Sequence, residues 1–111
     1  MASGPVLIGI PGEELDPLSR EYLAHPSVGG VVLFSRNFSG QEQLCSLVAD
    51  IHAASDPRPL VCIDQEGGRV QRLTGAGFTH LPPLGALGRL DDRQVFSRIG
   101  PVAIHGAAEV Q

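Results

Sequence analysis

The sequence contains no lysine and no tryptophan, and it has only two cysteines among its 111 residues. Its eight basic residues are all arginines, and they are scattered along a chain of formal net charge −4. No basic stripe is present that would follow a phosphate backbone, so we expect no nucleic-acid partner. Cys62 lies in an apolar run and Cys45 in a helical pattern, and we expect both to be small core residues rather than parts of a disulfide framework.

Long apolar runs are also absent. No stretch approaches the roughly 20 apolar residues that cross a bilayer, so no membrane association is expected. The first residues lack the basic and apolar regions of a secretory signal, and a cytoplasmic location is predicted. The histidines are isolated from one another, and we expect no catalytic histidine, no metal and no cofactor. These positions are His25, His52, His80 and His105.

Short continuous apolar runs alternate with helical patterns along the chain. Continuous rather than alternating apolar residues are typical of parallel strands that are covered on both faces. The predicted strands are Val6–Ile10, Val31–Phe34 and Leu60–Ile63. The resulting β–α–β–α–β order predicts an α/β fold with a parallel sheet.

Two helices are predicted between these strands. Asp16 caps the first, with Pro17 at its first position, and the helix ends near His25. The second begins with a capping box formed by Ser39 and Glu42 and ends at Asp56-Pro57. We expect the first helix to bury Leu18, Tyr22 and Leu23, and the second to bury Leu44, Leu47, Val48 and Ile51.

The remainder of the chain has less periodicity. Residues 73–90 are rich in glycine, proline and leucine and predict a long loop. A last helix is predicted from Asp91, with Val95, Phe96 and Ile99 on one face, and Gly100-Pro101 interrupts it.

A polar segment follows the third predicted strand directly. It reads Asp64-Gln65-Glu66-Gly67-Gly68-Arg69-Val70-Gln71-Arg72. Ligands bind at the carboxyl ends of parallel strands, and carboxylates and guanidinium groups suit a hydroxyl-rich ligand. The alternative is structural, with Asp64 capping a turn and an arginine paired to Glu66. A flavodoxin-like domain is a further alternative, but the acidic residues after the first strand argue against a phosphate-binding loop there.

The polar segment resembles the D-Q-E-G-G-R-V-x-R signature of family 3 glycoside hydrolases, and most closely that of the NagZ-type β-N-acetylhexosaminidases. Residues 23–37 and 78–82 resemble other parts of the same family in order and spacing. The resemblance implies that residues 1–111 are the N-terminal βα units of a (β/α)₈ TIM barrel. A complete barrel needs roughly 250 residues, so we expect an incomplete one.

The resemblance also implies roles for individual residues. Asp64 and Arg72 match the family's contacts to N-acetylglucosamine, while Glu66 and Arg69 match the signature and are expected to support the loop. For Arg36 and Asn37, at the end of the second strand, we favour a structural role. The saccharide is the expected partner.

The family's acid/base and nucleophile segments have no counterpart here, so no residue of this chain is nominated as catalytic. We expect a truncated β-N-acetylhexosaminidase-type glycosidase of cell-wall recycling, inactive by itself. The alternative is a non-catalytic saccharide-binding or assembly remnant. Three strands would leave two open sheet edges, so self-association and marginal stability are also expected.

Overall fold

The computed structural model describes residues 4–75, 77–83, 85, 86 and 89. The chain divides into two compact units, which comprise residues 1–63 and 64–111. The helix predicted from Asp91 and its interruption at Gly100-Pro101 lie outside the described residues. In the part of the chain that is described, no helix is long and apolar enough to cross a membrane.

The first unit contains a three-stranded parallel sheet. Its strands are β1 (Val6–Ile8), β2 (Val28–Leu33) and β3 (Leu60–Ile63), in the spatial order β1-β2-β3. The parallel arrangement confirms the prediction from the apolar runs. In the central strand a Cβ on Gly30 would collide with the Leu60 carbonyl oxygen, so glycine permits the close pairing of β2 with β3.

Two helices connect these strands. α1 spans Pro17–Leu23, and Asp16 caps it as predicted by accepting a hydrogen bond from the Ser19 backbone N–H at 3.4 Å. α2 spans Gln41–Ala53. Its predicted apolar stripe is confirmed, because all four residues are buried: Leu44, Leu47, Val48 and Ile51. They belong to a core that also contains Ile10, Leu23, Val31 and Leu33.

The start of α2 corrects the predicted capping box. Gly40 is the N-cap and no side chain caps the helix there. The side chain that reaches back is that of Gln43, whose Oε1 accepts from the Ser39 backbone N–H at 2.8 Å and from its hydroxyl at 3.3 Å. The prediction of Glu42 in this role is wrong because the helix begins one residue later than a Ser39 cap requires.

The apolar faces of α1 and of the outer strands also differ from expectation. α1 buries Leu23, as predicted, but Leu18 is 53% exposed and Tyr22 is 51% exposed. The seven-residue helix buries Ser19 and Leu23, which lie four apart, and the other two apolar residues fall off that line. Strands covered on both faces were expected, yet exposed apolar side chains lie on β1 and β3: Val6, Leu7 and Leu60.

The two cysteines behave differently from one another. Cys45 is exposed, so the prediction of a core position is wrong; it lies beside the buried stripe of α2 rather than within it. Cys62 is half-buried on β3, and its thiol donates to the Val31 carbonyl oxygen at 3.4 Å. Neither of these two cysteines is part of a disulfide bond.

The second unit begins with a short antiparallel hairpin that the sequence did not predict. Its strands are β4 (Gln65–Gly67) and β5 (Val70–Gln71), with Gln65 opposite Gln71. Leu73 and Leu81 are the buried apolar residues of the described part of this unit. Of the loop predicted over residues 73–90, residues 77–83 contain no helix or strand, as expected, whereas residues 85, 86 and 89 are helical, which the prediction did not include.

Candidate functional site

The polar segment that follows β3 forms the hairpin of the second unit. Asp64 comes directly after Ile63, the last residue of β3, and is exposed. Glu66 on β4 and Arg69 in the turn are also exposed, whereas Arg72, just after β5, is half-buried. The segment therefore presents two carboxylates and at least one guanidinium group to solvent, and in the chain it directly follows a parallel strand.

The two glutamines of the hairpin are used inside the protein. The Gln71 amide nitrogen donates to the carbonyl oxygens of Leu73 at 3.1 Å and Thr79 at 2.7 Å, and its oxygen accepts from the Leu81 N–H at 2.8 Å. The Gln65 amide makes two bonds with the Leu73 backbone, one to the N–H and one to the carbonyl, each 3.1 Å long. Sequence reasoning missed both roles, since a glutamine that binds backbone looks the same in a sequence as one that binds a ligand.

The glycine pair fits the hairpin against residues 81–83. Gly67 has φ +79° and Gly68 has φ +56°, a region that favours glycine. A Cβ on Gly67 would collide with the Pro82 carbonyl oxygen, and one on Gly68 would lie 2.8 Å from the Pro83 Cβ. The Gly68 N–H donates to the Leu81 carbonyl oxygen at 2.9 Å. The glycines thus allow the backbone to turn and to pack closely in the same place.

An open groove of about 310 Å³ runs along the hairpin. Its lining residues are Glu66, Gly67, Arg69, Val70, Pro83 and Gly85. The structure therefore brings together Glu66 and Arg69, the two residues expected to support the loop, at one groove. Asp64 and Arg72 do not line it. Glu66 and Arg69 are both exposed to solvent at this groove.

Arg36 and Asn37 follow β2 and hold the chain that follows β1. Asn37 is fully buried, and its amide nitrogen donates to the carbonyl oxygens of Ile10 at 3.1 Å and Gly12 at 2.6 Å. The Arg36 Nε also donates to Ile10, at 3.0 Å, and its guanidinium lies 4.7 Å from the centroid of the Phe34 ring. These contacts support the structural role favoured from the sequence.

No described histidine belongs to the hairpin segment. His25 accepts a hydrogen bond at Nδ1 from the Ser27 N–H at 3.0 Å. Burial lowers the pKa of His52, and the positive charge of Arg58 lowers it further. Among the described residues, no group of three or more His, Cys, Asp or Glu side chains is arranged to hold a metal ion.

Comparison with known proteins assigns the family. Residues 10–111 match the model of the glycosyl hydrolase family 3 N-terminal domain. The chain belongs to glycoside hydrolase family 3. A β-hexosaminidase of Nitrosomonas eutropha is 50% identical over 93 residues, which are 84% of this chain and 26% of that protein.

Solved structures of the same family are similar in fold. The native NagZ of Neisseria gonorrhoeae is 41% identical, with a TM-score of 0.76 over 83% of this chain and 26% of that one. A second NagZ structure from that organism, in complex with N-trifluoroacetyl-D-glucosamine, has the same identity and TM-score and covers 83% of this chain and 27% of that one. The parallel strands and helices are thus βα units of the family's barrel. The chain spans about a quarter of the length of the relatives it matches.

Proposed function

We propose that residues 1–111 are part of the barrel domain of a β-N-acetylhexosaminidase-type glycosidase and carry part of its saccharide-binding site. One observation supports this most directly: the family signature, which directly follows β3 in the chain, contains a hairpin and exposes both of its carboxylates, those of Asp64 and Glu66. Similarity to a NagZ that binds N-trifluoroacetyl-D-glucosamine favours an N-acetylglucosamine unit as the ligand.

Asp64 and Arg72 are the proposed saccharide contacts. An exposed carboxylate accepts hydrogen bonds from ring hydroxyls, and a guanidinium group donates to neighbouring oxygens in a fixed geometry. Glu66 and Arg69 have the supporting role. Retaining hydrolysis requires a carboxylate nucleophile and a proton donor on opposite sides of the scissile bond, and we assign neither of them to a residue of this chain.

The test is a titration of N-acetylglucosamine into the ¹⁵N-labelled chain, in which NMR monitors the chemical shifts of the backbone amides. We expect the largest shift changes at residues 64–72. Asp64→Asn and Arg72→Lys should each weaken binding about tenfold or more, because asparagine removes the negative charge from the hydrogen bonds and lysine lacks the planar fork of donors of the guanidinium group. Glu21→Gln is the matched control, since it removes an exposed carboxylate of α1. No shift in the wild-type chain up to saturating sugar would contradict the proposal.

Turnover separates this function from its alternative. A chromogenic N-acetylglucosaminide should be hydrolysed only when the nucleophile and the proton donor of the reaction are present. Binding of the sugar by the 111-residue chain without turnover would favour the non-catalytic saccharide-binding role for the chain by itself. We also propose that the natural saccharide derives from peptidoglycan and that the protein is cytoplasmic. Fractionation of the source cell tests the location.

We also propose that the chain self-associates through the outer strands of its sheet. Val6 and Leu7 on β1 are each 45% exposed, and Leu60 on β3 is 60% exposed. Exposed apolar strand edges favour pairing with another chain. Sedimentation velocity should detect oligomers of the wild type, and Leu60→Lys should shift the distribution towards monomer. A monomer at all concentrations of the wild type would contradict this.

A further inference from the structure

The two hairpin glutamines converge on a single residue, Leu73, which directly follows the proposed saccharide contact Arg72. The Leu73 carbonyl oxygen accepts from both the Gln65 and the Gln71 amides, at 3.1 Å each. The Leu73 N–H donates to the Gln65 oxygen at 3.1 Å. The Leu73 side chain is fully buried, so this residue is held by its backbone and its side chain together.

These contacts fix the backbone on both sides of Arg72. Its preceding residue, Gln71, is 8% exposed and belongs to β5. The Leu73 N–H that Gln65 binds is part of the peptide group between Arg72 and Leu73. Planarity of that peptide group means that fixing its N–H also limits the rotation of Arg72 about its Cα–C bond. The direction in which the Arg72 side chain leaves the backbone is therefore set by the glutamines.

Gln71 itself has no donor left for a ligand. An amide nitrogen carries two hydrogens, and those of Gln71 are directed to Leu73 and Thr79. Its oxygen accepts from Leu81, in the segment that also contacts the glycine pair. Gln71 thus links the end of β5 to residues 79–81 across the loop. These contacts are typical of a residue that positions its neighbour, here Arg72, and not of a residue that binds substrate.

We propose that Gln71, assisted by Gln65, is a positioning residue for saccharide binding that acts by holding Arg72 in its binding orientation. The inference rests on the proposed function, because it requires Arg72 to contact the sugar. A guanidinium group binds oxygens in a fixed geometry, so its affinity depends on the direction of its side chain. Residues that contact a ligand need such support from a second layer of hydrogen bonds.

The test compares three glutamine variants in the N-acetylglucosamine titration. Gln71→Met keeps the side-chain volume and removes the three hydrogen bonds, and we expect the Kd to rise about tenfold. Gln65→Met leaves the bonds of Gln71 in place and should raise the Kd about threefold. Gln43→Met is the matched control, because Gln43 makes equivalent bonds to the Glu13 and Asn37 carbonyls of the first unit, at 2.7 and 2.8 Å. It should change the Kd less than twofold.

A spectroscopic signal distinguishes positioning from a general loss of structure. The Arg72 Nε–H cross-peak should shift or broaden in Gln71→Met and Gln65→Met and stay unchanged in Gln43→Met, although each variant loses stability. If Gln71→Met does not fold, Gln65→Met provides both readouts. A Kd equal to that of the wild type in all three glutamine variants, with sugar binding still weakened in Arg72→Lys, would overturn the positioning role alone. Absence of sugar binding by the wild type would overturn the proposed function as well.

Discussion

Each of the two units is stabilised internally by a different kind of contact. The first is organised by apolar burial around β2 and α2, where Val31, Leu33, Leu47 and Ile51 are at most 2% exposed. The described part of the second has two buried apolar residues, Leu73 and Leu81, and its hairpin is held by glutamine amides and by two glycines.

The difference separates stability from function in this protein. Apolar burial tolerates some rearrangement, since it depends on area more than on direction. Hydrogen bonds depend on direction, and those of the hairpin hold the residues that are proposed to bind a ligand. We therefore expect substitutions in the first unit to cause the largest global losses of stability. Substitutions in the second unit should cause more local effects, mainly on ligand binding.

Ile51→Ala should have the largest effect on stability. Ile51 is fully buried on α2, and truncation leaves a cavity in the core, so the free energy of unfolding should fall by about 4 kcal/mol. Urea unfolding followed by circular dichroism at 222 nm measures this. Cys45→Ala is the control on the same helix, and its effect should stay within about 0.5 kcal/mol because Cys45 is exposed. Equal losses in both variants would contradict the burial pattern of α2.

Gly67→Ala should have the next largest effect, confined to the hairpin. An alanine at this position has to keep the positive φ of Gly67, and its Cβ collides with the Pro82 carbonyl oxygen. The backbone strain and the collision together should cost about 3 kcal/mol. Gly75→Ala is matched to it, since Gly75 has φ +66° and no atom lies within 4 Å of the position that its Cβ would take. That variant should lose only about 1 kcal/mol.

Amide hydrogen exchange locates the effect of both glycine variants. In Gly67→Ala the Gly68 and Leu73 amides should exchange faster, because both are hydrogen-bonded within the second unit. Amides of α2 should keep their wild-type protection. Similar protection of the hairpin amides in both variants would mean that the contact with Pro82 is unimportant.

Asp16→Asn should have the smallest effect, visible mainly in its pH dependence. The hydrogen bond from Ser19 lowers the pKa of Asp16 below its ordinary value near 3.8. A carboxyl with a lowered pKa stabilises the fold above the pKa of the unfolded chain, and that contribution is lost as the pH falls through the folded-state pKa. Asparagine also caps helices well.

Thermal unfolding of both chains between pH 2.5 and pH 7 tests this. The difference in Tm between wild type and Asp16→Asn should be constant from about pH 5 to 7 and shrink below pH 4. A difference independent of pH over the whole range would show that the Asp16 charge does not contribute.

The sequence by itself determined the elements whose signals are local. The cap of α1 depends on Asp16 and Ser19, three residues apart, and the stripe of α2 follows from the helical repeat of Leu44, Leu47, Val48 and Ile51. Continuous apolar runs sufficed to predict parallel strands. The nine-residue signature sufficed to predict the family, because its order of residues is read directly from the chain.

Only the tertiary structure decided which side chains of the signature face inward. Gln65 and Gln71 bind backbone groups two to ten residues further along the chain, and Asp64, Glu66 and Arg69 remain exposed. Likewise, Leu18 and Tyr22 of α1 are exposed although their spacing predicted burial. The physical reason is the same in both cases. A side chain turns towards the hydrogen-bonding groups or apolar surface that the fold brings near it, and those partners are specified by the folded backbone rather than by the local pattern.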